Sequence, residues 1–158
     1  MRVRIAAIGR MKAGPERELC GRYLERAVAS GRGLGLTGFD VAEFAESRAA
    51  STEQRKIEEA KSLGTALEGY VVALDEHGKS IDSQAFARLI ARERDGGRAQ
   101  IGFAIGGADG LASDLVERAD LVLSFSPLTW PHQIVRILLA EQLYRATTIL
   151  TGHPYHRE

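Results

Sequence analysis

Short uninterrupted apolar runs alternate along this chain with longer stretches in which apolar positions recur at helical spacing. Residues 3–8, 70–74, 101–105 and 121–124 are the runs, and Phe39, Val41 and Phe44 hint at a further one. Runs of this length that do not alternate with polar residues suit strands covered on both faces, the condition of a parallel sheet. Between them, residues 16–30 carry Leu19, Tyr23 and Ala27 on one face after the Gly14-Pro15 turn signal. Ser51 or Thr52 can cap a helix over 53–67. Asp82-Ser83 can cap another over 84–95, closed by Gly96-Gly97, and a short helix is expected near 111–118. This alternation predicts one α/β domain over residues 1–158, a mostly parallel sheet flanked by helices. The glycine-rich stretch 31–38 lacks the Lys-Ser/Thr ending of a phosphate loop and reads as a flexible connector.

The final helix, residues 132–149, is apolar over far more than the stripe a surface helix needs: Ile134, Val135, Ile137, Leu138, Leu139, Leu143, Tyr144 and Ile149 all contribute. One face should pack on the sheet and another on something else, most economically a second subunit. Pro131 suits the first turn. Glu141 and Arg145 are spaced to pair, and Arg136, nearer the preceding loop, is a candidate phosphate contact.

Composition narrows the function classes. The chain has 158 residues, 44% of them hydrophobic and 27% charged, as expected of a single globular domain. Lys plus Arg equals Asp plus Glu at 21 each, so no bulk charge advertises a polyanionic partner. A lone Cys20 excludes an intrachain disulfide and suits a reducing compartment. The start has too short an apolar run for a secretory signal, and nothing approaches the roughly 20 apolar residues of a membrane span. A cytoplasmic protein is expected.

Candidate chemistry concentrates in the last third. One strand ends in Gly106-Gly107 and the next in the loop Ser124-Phe-Ser-Pro-Leu-Thr-Trp130, and ligands in open α/β sheets sit at such carboxyl ends. The spacing Gly106-Gly107-x-x-Gly110 lacks the dinucleotide fingerprint. Ser124 and Ser126 lack a nucleophile elbow. His153 and His156 supply two metal ligands with no evident third, so no metal is expected. Tyr155, His156 and Arg157 offer a phenol, an imidazole and a guanidinium that suit a stacked base and a phosphate.

Six pieces in order, Leu74-Asp75 with Gly78-Lys79, Phe103-Ala-Ile-Gly-Gly-Ala-Asp-Gly110, Leu128-Thr129-x-Pro131-His132, Val135-Arg136, Ala140-Glu141-x-Leu143-Tyr144-Arg145-Ala146 and His153-Pro-Tyr-His-Arg157, resemble the ribosomal RNA large subunit methyltransferase H family of the SPOUT class. The resemblance covers essentially the whole chain. It implies a C-terminal trefoil knot, against the general rarity of knots, and an obligate homodimer. It implies S-adenosylmethionine as cofactor, held by Leu74, Gly106, Gly107 and the loop Phe125, Ser126, Pro127, Leu128, Thr129 and Trp130. The implied reaction is methylation at N3 of a pseudouridine in 23S rRNA within the assembled ribosome. Tyr155, His156 and Arg157 are then substrate contacts, with Arg136 or Arg145 on a phosphate. The general base stays open between His132, His156 and solvent. A neutral chain meeting RNA needs a local basic surface, for which Arg4, Arg10, Lys12, Arg136 and Arg157 are at hand. Two other readings remain at this point: a non-catalytic dimeric α/β module that binds a nucleotide or acts as a scaffold, and a methyltransferase acting on another RNA such as transfer RNA.

Overall fold

The structure, a computed structural model, describes residues 1–156. Its elements follow one another as β1 (Arg2–Ile8), α1 (Pro15–Gly31), a 3-10 turn (Arg32–Leu34), β2 (Thr37–Phe44), α2 (Thr52–Gly64), β3 (Tyr70–Lys79), α3 (Ser83–Asp95), β4 (Gln100–Ile105), α4 (Ser113–Arg118), β5 (Leu121–Leu123) and α5 (His132–Thr151). The strands form one sheet in the order β2-β1-β4-β3-β5. Every pairing is parallel.

The apolar runs are buried on both faces, and the two faces differ in size. Val3, Ile5, Ala7, Val72, Leu74, Ile101, Phe103 and Ile105 face α1, α3 and α5. Ala6, Ala73 and Ala104, with Ile8, face α2 and α4 through Leu63 and Leu115. Small side chains on one face and large ones on the other follow from the two-residue period of a strand. Ser51 caps α2, its Oγ accepting from the Gln54 amide at 3.1 Å, and Asp82 caps α3 by accepting from Ala85 at 2.6 Å.

Four expectations change in detail. The 31–38 stretch is ordered: Gly35 terminates the 3-10 turn in the left-handed region. Gly38 sits at φ +83° beside the register shift between Val3 and Arg4, and Leu36 and Phe39 are buried. Helix α2 stops at Gly64, because the chain must turn at Gly69 (φ +69°), where a Cβ would lie 2.2 Å from the Gln100 carbonyl oxygen. Strand β3 runs past Leu74. Both Leu74 and Lys79 pair with Leu123, so residues 75–78 make an excursion out of the ladder. Finally, α5 lies between α1 and α3, with Leu139, Leu143 and Ala146 in the main core. Much of its second apolar face is thus met by α1 and α3 within the chain, leaving Ile134 and Leu138 partly exposed. Among the described residues no helix is long and apolar enough to cross a membrane.

Candidate active site at the carboxyl edge of the sheet

A parallel sheet brings the carboxyl ends of all its strands to one edge, and the 75–78 excursion of β3 and the segments after β4 and β5 meet there around a cleft of about 790 Å³. Leu74, Ile105, Leu123 and Val135 supply apolar walls. Between them the chain of Gly106–Gly110 folds back on itself: the Gly110 amide donates to the Gly107 carbonyl at 3.1 Å. A Cβ on Gly106 would lie 2.7 Å from the Gly110 carbonyl carbon, and one on Gly107 2.9 Å from Ile8 Cγ2. Only glycine fits this turn without moving backbone.

Arg55 of α2 holds the turn from outside. Its Nε donates to Asp109 Oδ2 at 2.6 Å and its Nη2 to Oδ1 at 3.2 Å, a bidentate fork, while Nη1 donates to the Ala49 and Ala50 carbonyls. The same hydrogen bond keeps the Asp109 carboxyl below its ordinary range and raises Arg55. On the opposite wall, Ser126 Oγ accepts from the Leu128 amide at 3.0 Å, and Thr129 Oγ1 donates to Glu76 Oε2 at 2.9 Å. Ser124 is buried and its Oγ lies 3.0 Å from the Glu76 carbonyl. The excursion 75–78 and the loop 124–131 are therefore laced together. Leu128 and Trp130 project from that loop, 64% and 41% exposed.

Of the residues singled out from the sequence, Leu74, Gly106, Gly107, Phe125, Ser126, Leu128, Thr129, Trp130 and His132 line this one cleft. Pro127 shares the loop but is exposed outside the lining. Pro131 is the N-cap of α5 and not its first helical residue. Arg136 requires a correction. It is 1% exposed, with its guanidinium donating to the Glu43 carboxylate and, through Nη2, to the Gly9 carbonyl at 2.9 Å. It ties α5 to β1 and β2 and presents nothing to a phosphate.

The C-terminal candidates gather elsewhere. Tyr155 packs on Tyr144 with ring centroids 4.7 Å apart, and the Arg145 guanidinium carbon lies 4.9 Å from the Tyr155 centroid. Arg145 pairs with Glu141, as its spacing suggested, and the Tyr155 hydroxyl donates to the same carboxylate at 3.2 Å. His156 is partly buried, with Nδ1 enclosed and unpartnered. Arg157 lies outside the described residues. Because Tyr144 follows His132 by 12 residues of helix, this cluster is about 18 Å along α5 from the cleft. The two groups do not meet within one chain.

Burial, then the Tyr23 hydroxyl and the Glu141 carboxylate, push the Tyr155 phenol up to about 12. Its folded-state pKa exceeds the ordinary value, so the stabilisation it brings is complete below about pH 10 and is lost as pH rises toward 12. Absorbance titration near 295 nm is expected to show a late phenol at about pH 12 that is missing in Tyr155→Phe. An unchanged titration would mean the tail is not docked on α5.

Sequence reasoning missed the Arg55–Asp109 fork and the Glu76–Thr129 bond. Asp109 lay inside a noted motif, but its partner is 54 residues away.

The family described as "Predicted SPOUT methyltransferase" matches residues 1–156. The chain belongs to the SPOUT methyltransferases. It is 57% identical over 159 aligned residues to the ribosomal RNA large subunit methyltransferase H of Rhizobium meliloti (strain 1021), covering 99% of both chains. It is 52% identical to the protein of that name from Beijerinckia indica subsp. indica, again covering 99% of both. The crystal structure of a probable methyltransferase from Bordetella pertussis Tohama I shares its fold, with a TM-score of 0.51 and 17% identity over 92% of this chain and 95% of that one. A SPOUT methyltransferase thus carries its glycine turn and its Ser/Thr-laced loop on adjacent walls of the cleft described above.

Proposed function

We propose that this SPOUT methyltransferase transfers a methyl group from S-adenosylmethionine to N3 of a pseudouridine in 23S rRNA of the assembled ribosome, acting as a cytoplasmic homodimer. The observation that carries the reading is full-length identity above half to chains named ribosomal RNA large subunit methyltransferase H, in a protein whose three strand ends enclose one cleft.

The cleft fits the cofactor on its own terms. Its volume of about 790 Å³ falls within the range of small-molecule sites. Leu74, Leu123 and Val135 suit an adenine or ribose face, and the backbone at Gly106, Gly107 and Gly110, which carry no side chains, suits the polar edge. When bound, S-adenosylmethionine supplies a methyl group already activated on sulfur. The protein's part is to align N3 with that methyl, exclude water and accept the N3 proton as the nitrogen–carbon bond forms. His132, within the cleft lining, and His156 are the proposed bases.

A homodimer is supported by the roughly 18 Å separation above, since Tyr155 and His156 would then reach the cleft of a second copy. The partly exposed Ile134 and Leu138, with Leu128 and Trp130, would lie in its contact. The C-terminal knot belongs to the same reading, and the Ser124 amide donating to the Lys79 carbonyl at 3.0 Å supports a chain threaded past the 75–79 segment. Arg145, already paired with Glu141, is the remaining helix cation proposed for a phosphate.

Calorimetric titration with S-adenosylmethionine, with ATP and NAD as controls, tests the reading while Trp130, the single tryptophan, reports on its loop. Selective binding with a Trp130 response, followed by methyl transfer to intact ribosomes, is expected. A folded protein that binds none of them would overturn it. Arg55→Ala is expected to weaken S-adenosylmethionine about tenfold, roughly 1.4 kcal/mol, because Asp109 loses its fork and the glycine turn its brace. An affinity unchanged from wild type would remove Arg55 from that role.

A further inference from the structure

We propose that Arg10, Lys12 and Arg48 form a cationic rim on the β1–β2 side of the cleft mouth, which grips the RNA phosphate backbone flanking the methylated nucleotide. The inference rests on the proposed function and supplies what a net-neutral chain otherwise lacks.

Tertiary contacts bring these residues together. The turn after β1 and the segment after β2 both emerge at the carboxyl edge of the sheet, since β1 and β2 are parallel neighbours. A Cβ on Gly9 would lie 3.0 Å from His132 Nε2 and 3.4 Å from Glu46 Oε1, so the turn stands between the start of α5 and the 45–50 segment. The Met11 amide donates to Glu43 Oε1 at 3.0 Å, fixing the turn on β2. The Ser47 amide donates to Glu59 Oε1 at 2.9 Å, and the Ala49 and Ala50 carbonyls accept from Arg55, which holds Asp109 in the cleft. A continuous, hydrogen-bonded edge thus carries Arg10, Lys12 and Arg48 up to the glycine turn.

Charge is distributed unevenly around the mouth. Arg10, Lys12 and Arg48 are exposed and have no hydrogen-bond or ion-pair partner among the described residues. The acids of the cleft are engaged: Asp109 by Arg55, Asp75 by the His77 amide and ring, and Glu76 by Thr129. Glu46, beside Gly9, offsets one cation. Other cations near the sheet are paired, Arg2 and Arg4 with Asp40 and Arg92 and Arg98 with Glu93. Unpaired cations on a pinned backbone beside a ligand cleft suit a polyanion whose charges repeat along a strand, and point charges of this kind contact phosphates without reading bases. The strand would enter from the β1–β2 side, away from the acids at the end of β3.

The test is co-sedimentation of the full-length protein with intact ribosomes across a series of KCl concentrations, for wild type and for the triple variant Arg10→Gln, Lys12→Gln, Arg48→Gln. Each lost phosphate contact removes about 0.7 to 0.9 from the slope of log affinity against log salt. The variant should therefore bind at least about tenfold more weakly near physiological salt, with a slope shallower by about 2. S-adenosylmethionine affinity and thermal midpoint are read alongside and should match wild type, since none of the three lines the cleft. Equal affinity and equal slope would overturn the rim. Methyl transfer to the same ribosomes is scored separately, so a wild type that binds with a steep salt slope yet transfers nothing would fail the proposed reaction and leave the rim standing.

Discussion

Arg136→Ala is expected to destabilise the fold by about 3 kcal/mol or more, the range for breaking a buried ion pair from one side. The guanidinium is 1% exposed and serves three groups at once: the Glu43 carboxylate on β2 and the Ile8 and Gly9 carbonyls at the end of β1. Removing it leaves the Glu43 carboxylate without its cation, holding only the Met11 amide, takes a donor from two carbonyls, and opens a cavity where α5 crosses the sheet. Glu43 is 30% exposed, so water reaches it and the loss should fall at the lower end of that range. Chemical denaturation of the two proteins gives the number. Arg136→Ala with Glu43→Leu should recover part of the loss, because the stranded carboxylate is then gone. A loss below about 1 kcal/mol would show that the guanidinium is not shared in this way.

Gly106→Ala should have the largest effect on the site. The added methyl meets the Gly110 carbonyl carbon at 2.7 Å and its oxygen at 2.9 Å, both backbone atoms that move only if the whole turn opens. Overpacking of this kind costs about 1–3 kcal/mol, which a core of this size tolerates, so the variant should remain folded. The turn that faces the cleft would not keep its shape. S-adenosylmethionine affinity is expected to fall by at least about a hundredfold, roughly 2.7 kcal/mol, with methyl transfer lost in parallel. Calorimetry on the folded variant decides it: near-wild-type affinity would exclude the Gly106–Gly110 turn from cofactor binding.

Both predictions concern residues the sequence made visible, and they part ways in instructive fashion. The glycine pair after an apolar run already indicated a close backbone approach, and Gly106 sits where that reasoning put it. Arg136 was noticed for its charge and its nearness in sequence to the 124–131 loop. Its fate was decided by Glu43, 93 residues earlier, and by two carbonyls more distant still. A helix of 3.6 residues per turn sends consecutive positions to different sides, so Val135 reaches the cleft while Arg136 points into the α1–β2 side.

The same contrast runs through the molecule. Strand runs, helix caps at Ser51 and Asp82, and the parallel sheet were legible because they depend on local periodicity and on side chains bonding their own backbone nearby. So was the cleft as a location, since strand ends in a parallel sheet must share an edge. What only the tertiary structure decided are pairings across long separations: Arg55 with Asp109, Thr129 with Glu76, the 75–78 excursion against Leu123, and the docking of Tyr155 on Glu141. It also decided the flanks of α5, whose apolar width the sequence showed but whose neighbours α1 and α3 it did not name. Local patterning settles which face of an element is apolar; which partner meets that face depends on how the sheet orders its strands, and the order β2-β1-β4-β3-β5 is written in no single segment.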